Sequence, residues 1–258
     1  MIIQRLTDCV WAGLDSVLNE TRIAHVARIF YALRTSLEKL HDYYKNLPST
    51  SIPFVEERYF PSITAYRDGG KTVPFRYLGF LENDPSCTAI HARTCTEPMQ
   101  DIVVKFVDRY GERAHRVLAD EGLAPKLLYC GPLRLDEGQP SYASLCMVVM
   151  EYIYGSTLTV AKAKSELDAE ATERVREEVR RALGLLHAKR LVFGDLRPPN
   201  VMITEAKGVK LIDFDWAGEH GQVKYPYLIS PGVNWPAGVN ALDVIEFAHD
   251  EDMLNRLL

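Results

Sequence analysis

The chain has 258 residues, 47% of them apolar and 25% charged, a composition that excludes a disordered or fibrous protein. Thirty basic against thirty-five acidic side chains leave a net charge of −5, so no polycationic footprint points to nucleic acid as a partner. The five cysteines (Cys9, Cys87, Cys95, Cys130, Cys146) are odd in number, widely spaced and free of any C-x-x-C pair, which argues for reduced thiols in a cytoplasmic or nuclear setting.

The opening MIIQRLTDCVWAGLD lacks the charged-then-apolar layout of a secretory signal. Ile23, Val26, Phe30, Leu33, Leu37, Leu40 and Tyr44 then recur at alternating steps of three and four, one apolar stripe along a predicted helix. Asn19 or Thr21 is its expected cap and Pro48 its end; packing on a core is favoured over a dimer seam. Residues 48 to 74, with four prolines and Gly69-Gly70, are expected to form a surface connection. FRYLGFL, CTAIHAR and DIVVKFV predict short antiparallel strands, and YGERAHRVLADEG a helix. PKLLYCG and SLCMVVMEY continue the strand series, and Ala169 to Lys189 reads as a long helix. LVFGDL, VMIT and VKLIDFDW close the strands, and Val239 to Leu258 is expected to be helical. The uncharged run Tyr225 to Leu242 is broken by three prolines and two glycines and cannot span a membrane. Strands around one helix, then a mainly helical half, predict an α+β, two-lobe chain. The expected parts are residues 1–72 (helical extension and linker), 73–152 (small lobe) and 153–258 (large lobe).

The chemistry concentrates in FGDLRPPNVMIT…VKLIDFDW. Asp195 and Asn200 are five apart in a proline-stiffened loop, and Asp213 follows thirteen later with Asp215 beside it. Two strands and a tight turn fit between Asn200 and Asp213, so a hairpin brings the two together at its open end. Such hard oxygen ligands suit Mg2+, which takes one or two carboxylates and completes its shell with water and phosphate oxygens. Asp195 is then placed to accept a proton from an attacking hydroxyl, and Arg197 to neutralise charge on a transferring phosphoryl group.

In these residues the chain resembles the protein-kinase-like superfamily. Asp195-x-x-x-x-Asn200 is similar to its catalytic loop, and Asp213-Phe214-Asp215 to its Asp-Phe-Gly metal motif. The resemblance implies ATP and Mg2+ as cofactors and a shortened large lobe behind a helical extension. Lys105, ending VVK, falls where the family keeps the lysine that grips the nucleotide phosphates; its helix partner is Glu112, the preferred one, or Glu121, with His115 between them. MVVMEYIYGSTL resembles the hinge, which makes Met150 the gatekeeper and gives the backbone of Glu151 and Ile153 to adenine. The metal ligands implied are Asn200, Asp213 and Asp215.

Three departures qualify the match. The phosphate loop, Glu82 to Ser86, is acidic and lacks G-x-G-x-x-G. Phe193 replaces a frequent histidine before Gly-Asp, a spelling similar to aminoglycoside and choline kinases, while FGDLRPPN…DFDWAG…YP also resembles fungal and oomycete Crinkler-type kinase-like domains. Past Asp213 only 45 residues remain (258 − 213), so residues 1–47 are expected to fold back and supply missing packing. The acceptor expected is a hydroxyl on a protein, slightly favoured, or on a small molecule. The competing expectation is a catalytically weak kinase-like module acting through protein–protein contacts.

Overall fold

The computed structural model describes residues 20–46, 60–82, 89–133 and 145–258. The chain divides into two units, residues 1–61 and 62–258. In the first, the apolar stripe lies on helix α1 (Glu20–Lys45), which an Arg34–Glu38 ion pair of 2.8 Å spans at i, i+4. Thr21 sits inside this helix and is not its cap, while Asn19 and Pro48 lie outside the described residues.

The second unit begins with a hairpin of β1 (Ala65–Asp68) and β2 (Lys71–Phe80). The expected surface connection therefore ends in a strand. Gly69 and Gly70, at φ 53° and 84°, make the two-residue turn that pairs Asp68 with Lys71. β3 (Ala89–Thr94), β4 (Asp101–Val107), β5 (Leu127–Pro132) and β6 (Cys146–Glu151) complete an antiparallel sheet of order β1-β2-β3-β4-β6-β5. β4 lies inside the sheet between β3 and β6, and every residue from Ile102 to Val107 is buried. A near-continuous apolar run, rather than alternation, is what a strand covered on both faces requires. Helix α2 (Glu112–Asp120) turns Ala114, His115 and Leu118 inward.

Beyond β6 come β7 (Gly155–Thr157) and helix α3 (Leu158–Ala163), neither of which has a clear periodic signal. Helix α4 (Ala169–Ala188) starts where Asp168 accepts from the Ala171 amide at 2.7 Å, and buries Val175, Val179, Ala182, Leu183 and Leu186. The strands β8 (Leu191–Val192), β9 (Val201–Thr204) and β10 (Val209–Leu211) follow, then β11 (Gly218–Glu219).

Helix α5 is shorter than expected, Phe247–Asn255 rather than Val239 to Leu258. The cause is competition for backbone groups. Tyr225 donates its amide to Asp243 and Ile245 to Val223, each at 2.9 Å, so residues 243–245 are spent on strand-like pairing. Met253, Leu254 and Leu257 then pack into one core with Leu118 of α2, Leu186 of α4, Phe193 and Phe214. Among the described residues no helix is long and apolar enough to cross a membrane.

Candidate active site

Lys105 stands near the end of β4 with 6% of its surface exposed, a burial its ammonium tolerates because two carboxylates meet it. Its Nζ donates to Asp213 Oδ1 at 2.9 Å and to Asp215 Oδ1 at 3.0 Å. Burial works against the charged ammonium, but the Asp213 and Asp215 charges outweigh it and hold Lys105 above its ordinary value. Burial likewise opposes ionised Asp213, which the Lys105 charge holds below the usual carboxylate range. Asp215 is pushed up to about 7, chiefly by burial, with the neighbouring Asp213 charge adding to it against the pull of Lys105.

Asp213 reaches this position through a backbone in the left-handed region, φ 68°, which an aspartate tolerates better than a branched side chain. The hairpin predicted from the spacing is present. β9 and β10 pair with Val201 opposite Leu211, and the Ile212 amide donates to the Asn200 carbonyl at 3.0 Å. Asn200 and the turn into Asp213 are thus joined at the open end.

On the Asn200 side, Asp195 is 4% exposed and heavily partnered. Arg197 grips it with Nε on Oδ1 and with Nη2 on Oδ2, the latter at 2.7 Å. Asn200 Nδ2 donates to Oδ2 and to the Asp195 carbonyl, each at 2.9 Å. Burial still raises the Asp195 carboxyl above its ordinary value, the Arg197 bonds pulling the other way. With both amide hydrogens of Asn200 committed to Asp195, a cation at this loop would meet its carbonyl oxygen. Among the described residues no three His, Cys, Asp or Glu side chains form a ready-made metal cluster. Two carboxylates and one amide oxygen are a donor set that fits Mg2+, an ion that keeps water and phosphate oxygens in its shell.

Three supports hold the loop, and two of them rest on residues to which the motifs do not point. Asp250 of α5, 1% exposed, accepts from the Phe193 amide (Oδ2) and the Gly194 amide (Oδ1), both at 2.8 Å, and His187 Nε2 lies 3.2 Å from Oδ2. A buried carboxylate on a short C-terminal helix was the available signal. Gly194 has φ 82°, and a Cβ there would sit 2.9 Å from Ile245 Cδ1 and 3.1 Å from the Trp216 carbonyl, so only glycine fits. His115 lies flat on Phe214, centroids 4.4 Å apart and planes within 2°, and Phe193 meets the same ring edge-on at 5.3 Å. Its Nε2 lies 2.7 Å from the Pro125 carbonyl, which can only accept, so Nε2 carries the hydrogen and Nδ1 accepts from the Tyr110 hydroxyl at 2.7 Å.

Glu112 is not brought to Lys105. It pairs with Arg116 one turn along α2 at 2.9 Å, and the lysine finds its carboxylates on the metal motif instead. The N-terminus of α2 is tied to that motif by backbone: Gly111 donates to the Phe214 carbonyl at 2.8 Å, and a Cβ on Gly111 would lie 2.5 Å from the Ala217 carbonyl. Met150 is buried at the end of β6. Glu151 donates its amide to the Lys126 carbonyl at 2.9 Å and Tyr152 to Asp101 at 3.1 Å, after which the chain leaves the sheet through Ile153. Asn83 to Ser86 of the expected phosphate loop lie outside the described residues, as do Cys9 and Cys87.

Residues 139–229 match the model of the protein kinase domain. Over 97 residues the chain is 35% identical to "Probable serine/threonine-protein kinase mkcF" of Dictyostelium discoideum, covering 35% of this chain and 14% of that protein. It is 30% identical over 117 residues to "Serine/threonine-protein kinase max-2" of Caenorhabditis elegans, covering 38% and 18%. With "Serine/threonine-protein kinase PknG" of Mycolicibacterium smegmatis it shares 38% over 89 residues, covering 34% and 11%. The chain thus spans less than a fifth of the length of each of these three relatives. The likenesses are to protein kinases and lie over about a third of the chain, and the mixed sheet and helix architecture fits a kinase-like fold.

Proposed function

We propose that this chain is an ATP- and Mg2+-dependent phosphotransferase acting on a hydroxyl acceptor, with a protein serine or threonine slightly favoured over a small molecule. The observation that carries the reading is the meeting, across the β9–β10 hairpin, of a lysine-bound aspartate pair with a buried Asp195–Asn200–Arg197 group. In this reading Asp213, Asn200 and Asp215 hold Mg2+, which when bound neutralises phosphate oxygens and fixes their orientation. Lys105 leaves its carboxylates to grip the α- and β-phosphates. Asp195 takes the proton of the acceptor hydroxyl as the acceptor oxygen bonds to the γ-phosphorus and the bond to the β,γ-bridging oxygen breaks, ADP leaving. Arg197 offsets charge on the phosphoryl group in transit. Met150 backs the adenine, whose edge meets the Glu151 carbonyl and the Ile153 amide.

One observation favours a second reading, a nucleotide-binding module with little turnover: Lys105 is held by Asp213 and Asp215, with Glu112 engaged elsewhere. Calorimetric titration with Mg2+-ATP and an ADP-release assay in the presence of acceptor separate the two. The enzyme reading expects Asp213→Asn to abolish binding, and Asp195→Asn to keep binding while turnover falls by about 10³-fold or more. Binding without turnover on protein and small-molecule acceptor panels selects the module, and no nucleotide binding by the unaltered chain overturns both.

A further inference from the structure

The segment between the metal motif and α5 carries an aromatic group that the proposed chemistry does not use. Trp235 packs against Trp216 at 5.5 Å and Tyr225 at 5.9 Å between centroids. The residue is held from two other directions, at its ring nitrogen and at its backbone. Its Nε1 donates to the Ser230 carbonyl at 2.9 Å, and Arg256 Nη1, from the C-terminal end of α5, donates to the Trp235 carbonyl at 3.0 Å and to that of Asn234 at 3.3 Å. Arg256 is itself paired with Asp252 at 2.6 Å. The ring face so held receives one cation: the Arg197 guanidinium carbon lies 5.6 Å from the ring centroid. That guanidinium is the one clamped on Asp195, so it has a carboxylate on its donor edge and an indole face beside it.

The geometry points to Trp235 as a positioning residue that holds Arg197 at Asp195 through its ring face and so sets the rate of phosphoryl transfer without contributing to nucleotide affinity. The rate part rests on the phosphotransferase reading; the placement of Arg197 does not. Without the ring face, the arginine keeps only bonds to a carboxylate that it can also make from other rotamers, and its long side chain regains freedom. A partly buried cation–π contact is worth up to about a tenfold change in population or rate.

The test uses the full chain with three replacements: Trp235→Phe, which keeps a ring face; Trp235→Leu, which removes it; and site-specific tetrafluorotryptophan at 235, which keeps the shape and drains the π-charge. The first readout is hydrogen exchange of the Arg197 Nε–H by NMR, its signal assigned through its loss in Arg197→Lys. Exchange should quicken by about tenfold in the fluorinated and Leu chains and stay within about threefold in Trp235→Phe. The second is the split between affinity and turnover: the same two variants should lose about tenfold in kcat with the Mg2+-ATP dissociation constant unchanged. Should Trp235→Leu fail to fold, the fluorinated chain decides alone, since a packing role does not respond to π-charge. Unaltered exchange in the fluorinated chain overturns the proposal. Absence of Mg2+-ATP turnover in the unaltered chain overturns the phosphotransferase reading instead, and the exchange data still decide where Trp235 acts.

Discussion

His115 has exchanged solvation for two neutral hydrogen bonds and a ring stack, and burial lowers its pKa to about 4, with the Pro125 bond acting weakly the other way. An imidazole in the unfolded chain protonates near 6.5. Between those values the unfolded state binds a proton that the folded state refuses, so the His115 contribution to stability falls as pH drops from about 6.5 to about 4, while Asp215, raised to about 7, contributes a slope of opposite sign over the same range. The contribution lost is about 3 kcal/mol. Urea titrations of the unaltered chain and of His115→Gln across this range should show it as the difference between the two chains, which grows as pH rises from about 4 to about 6.5. A second residue-scale expectation concerns Phe214, which is wholly buried between His115 and Phe193. Phe214→Ala should cost about 3–5 kcal/mol, read as a shift of the denaturation midpoint at constant slope.

At the scale of elements, helix α5 is a fixture for the loop that begins at Phe193 as much as a lid on the core. Asp250→Ala would strand two buried amides, and the expected loss is about 3 kcal/mol or more, a fall in Tm of about 6–10 °C by scanning calorimetry. Asp250→Asn keeps one acceptor oxygen and should lose about half as much. This element also shows where sequence reading stops. The β9–β10 hairpin was legible because its two short apolar strands and fixed spacing are local. So were β2 to β6 and α4, whose periodicity or apolar runs are strong. The strand β1 was not, because a four-residue strand carries little apolar signal beside the glycines and prolines around it. The reach of α5 was overestimated because the pairing of residues 243–245 with 223–225 is a long-range preference that outweighs helix propensity. Lys105, Asp195, Asn200, Asp213 and Arg197 were each identifiable in the chain. Their present partners were less so: which carboxylate meets a buried lysine depends on where α2 docks, and Glu112 lies on the face that turns to Arg116 instead.

For the molecule as a whole, one core gathers side chains from α2, α4, the segments around Phe193 and Phe214, and α5. Truncation at its centre, Leu186→Ala, is expected to cost about 2–5 kcal/mol and to lower the melting of the whole second unit as one transition. Ligand linkage supplies the complementary test. If Mg2+-ATP binds only the folded chain, a concentration one hundred times its dissociation constant adds about 2.7 kcal/mol, or about 5–10 °C in Tm for a unit of this size. The same addition should leave the Tm of Asp213→Asn unmoved.

The anchoring of the Phe193 and Gly194 amides by Asp250 also fixes a schedule for biosynthesis. The stretch that carries Asp195 is translated more than fifty residues before the carboxylate that clamps it. A nascent chain emerging from the ribosome therefore holds Asp195 and Asn200 in a loop without this clamp until Asp250 has left the exit tunnel. Messages cut short before that aspartate would yield products that keep the motif residues but lack one of the three supports of the loop.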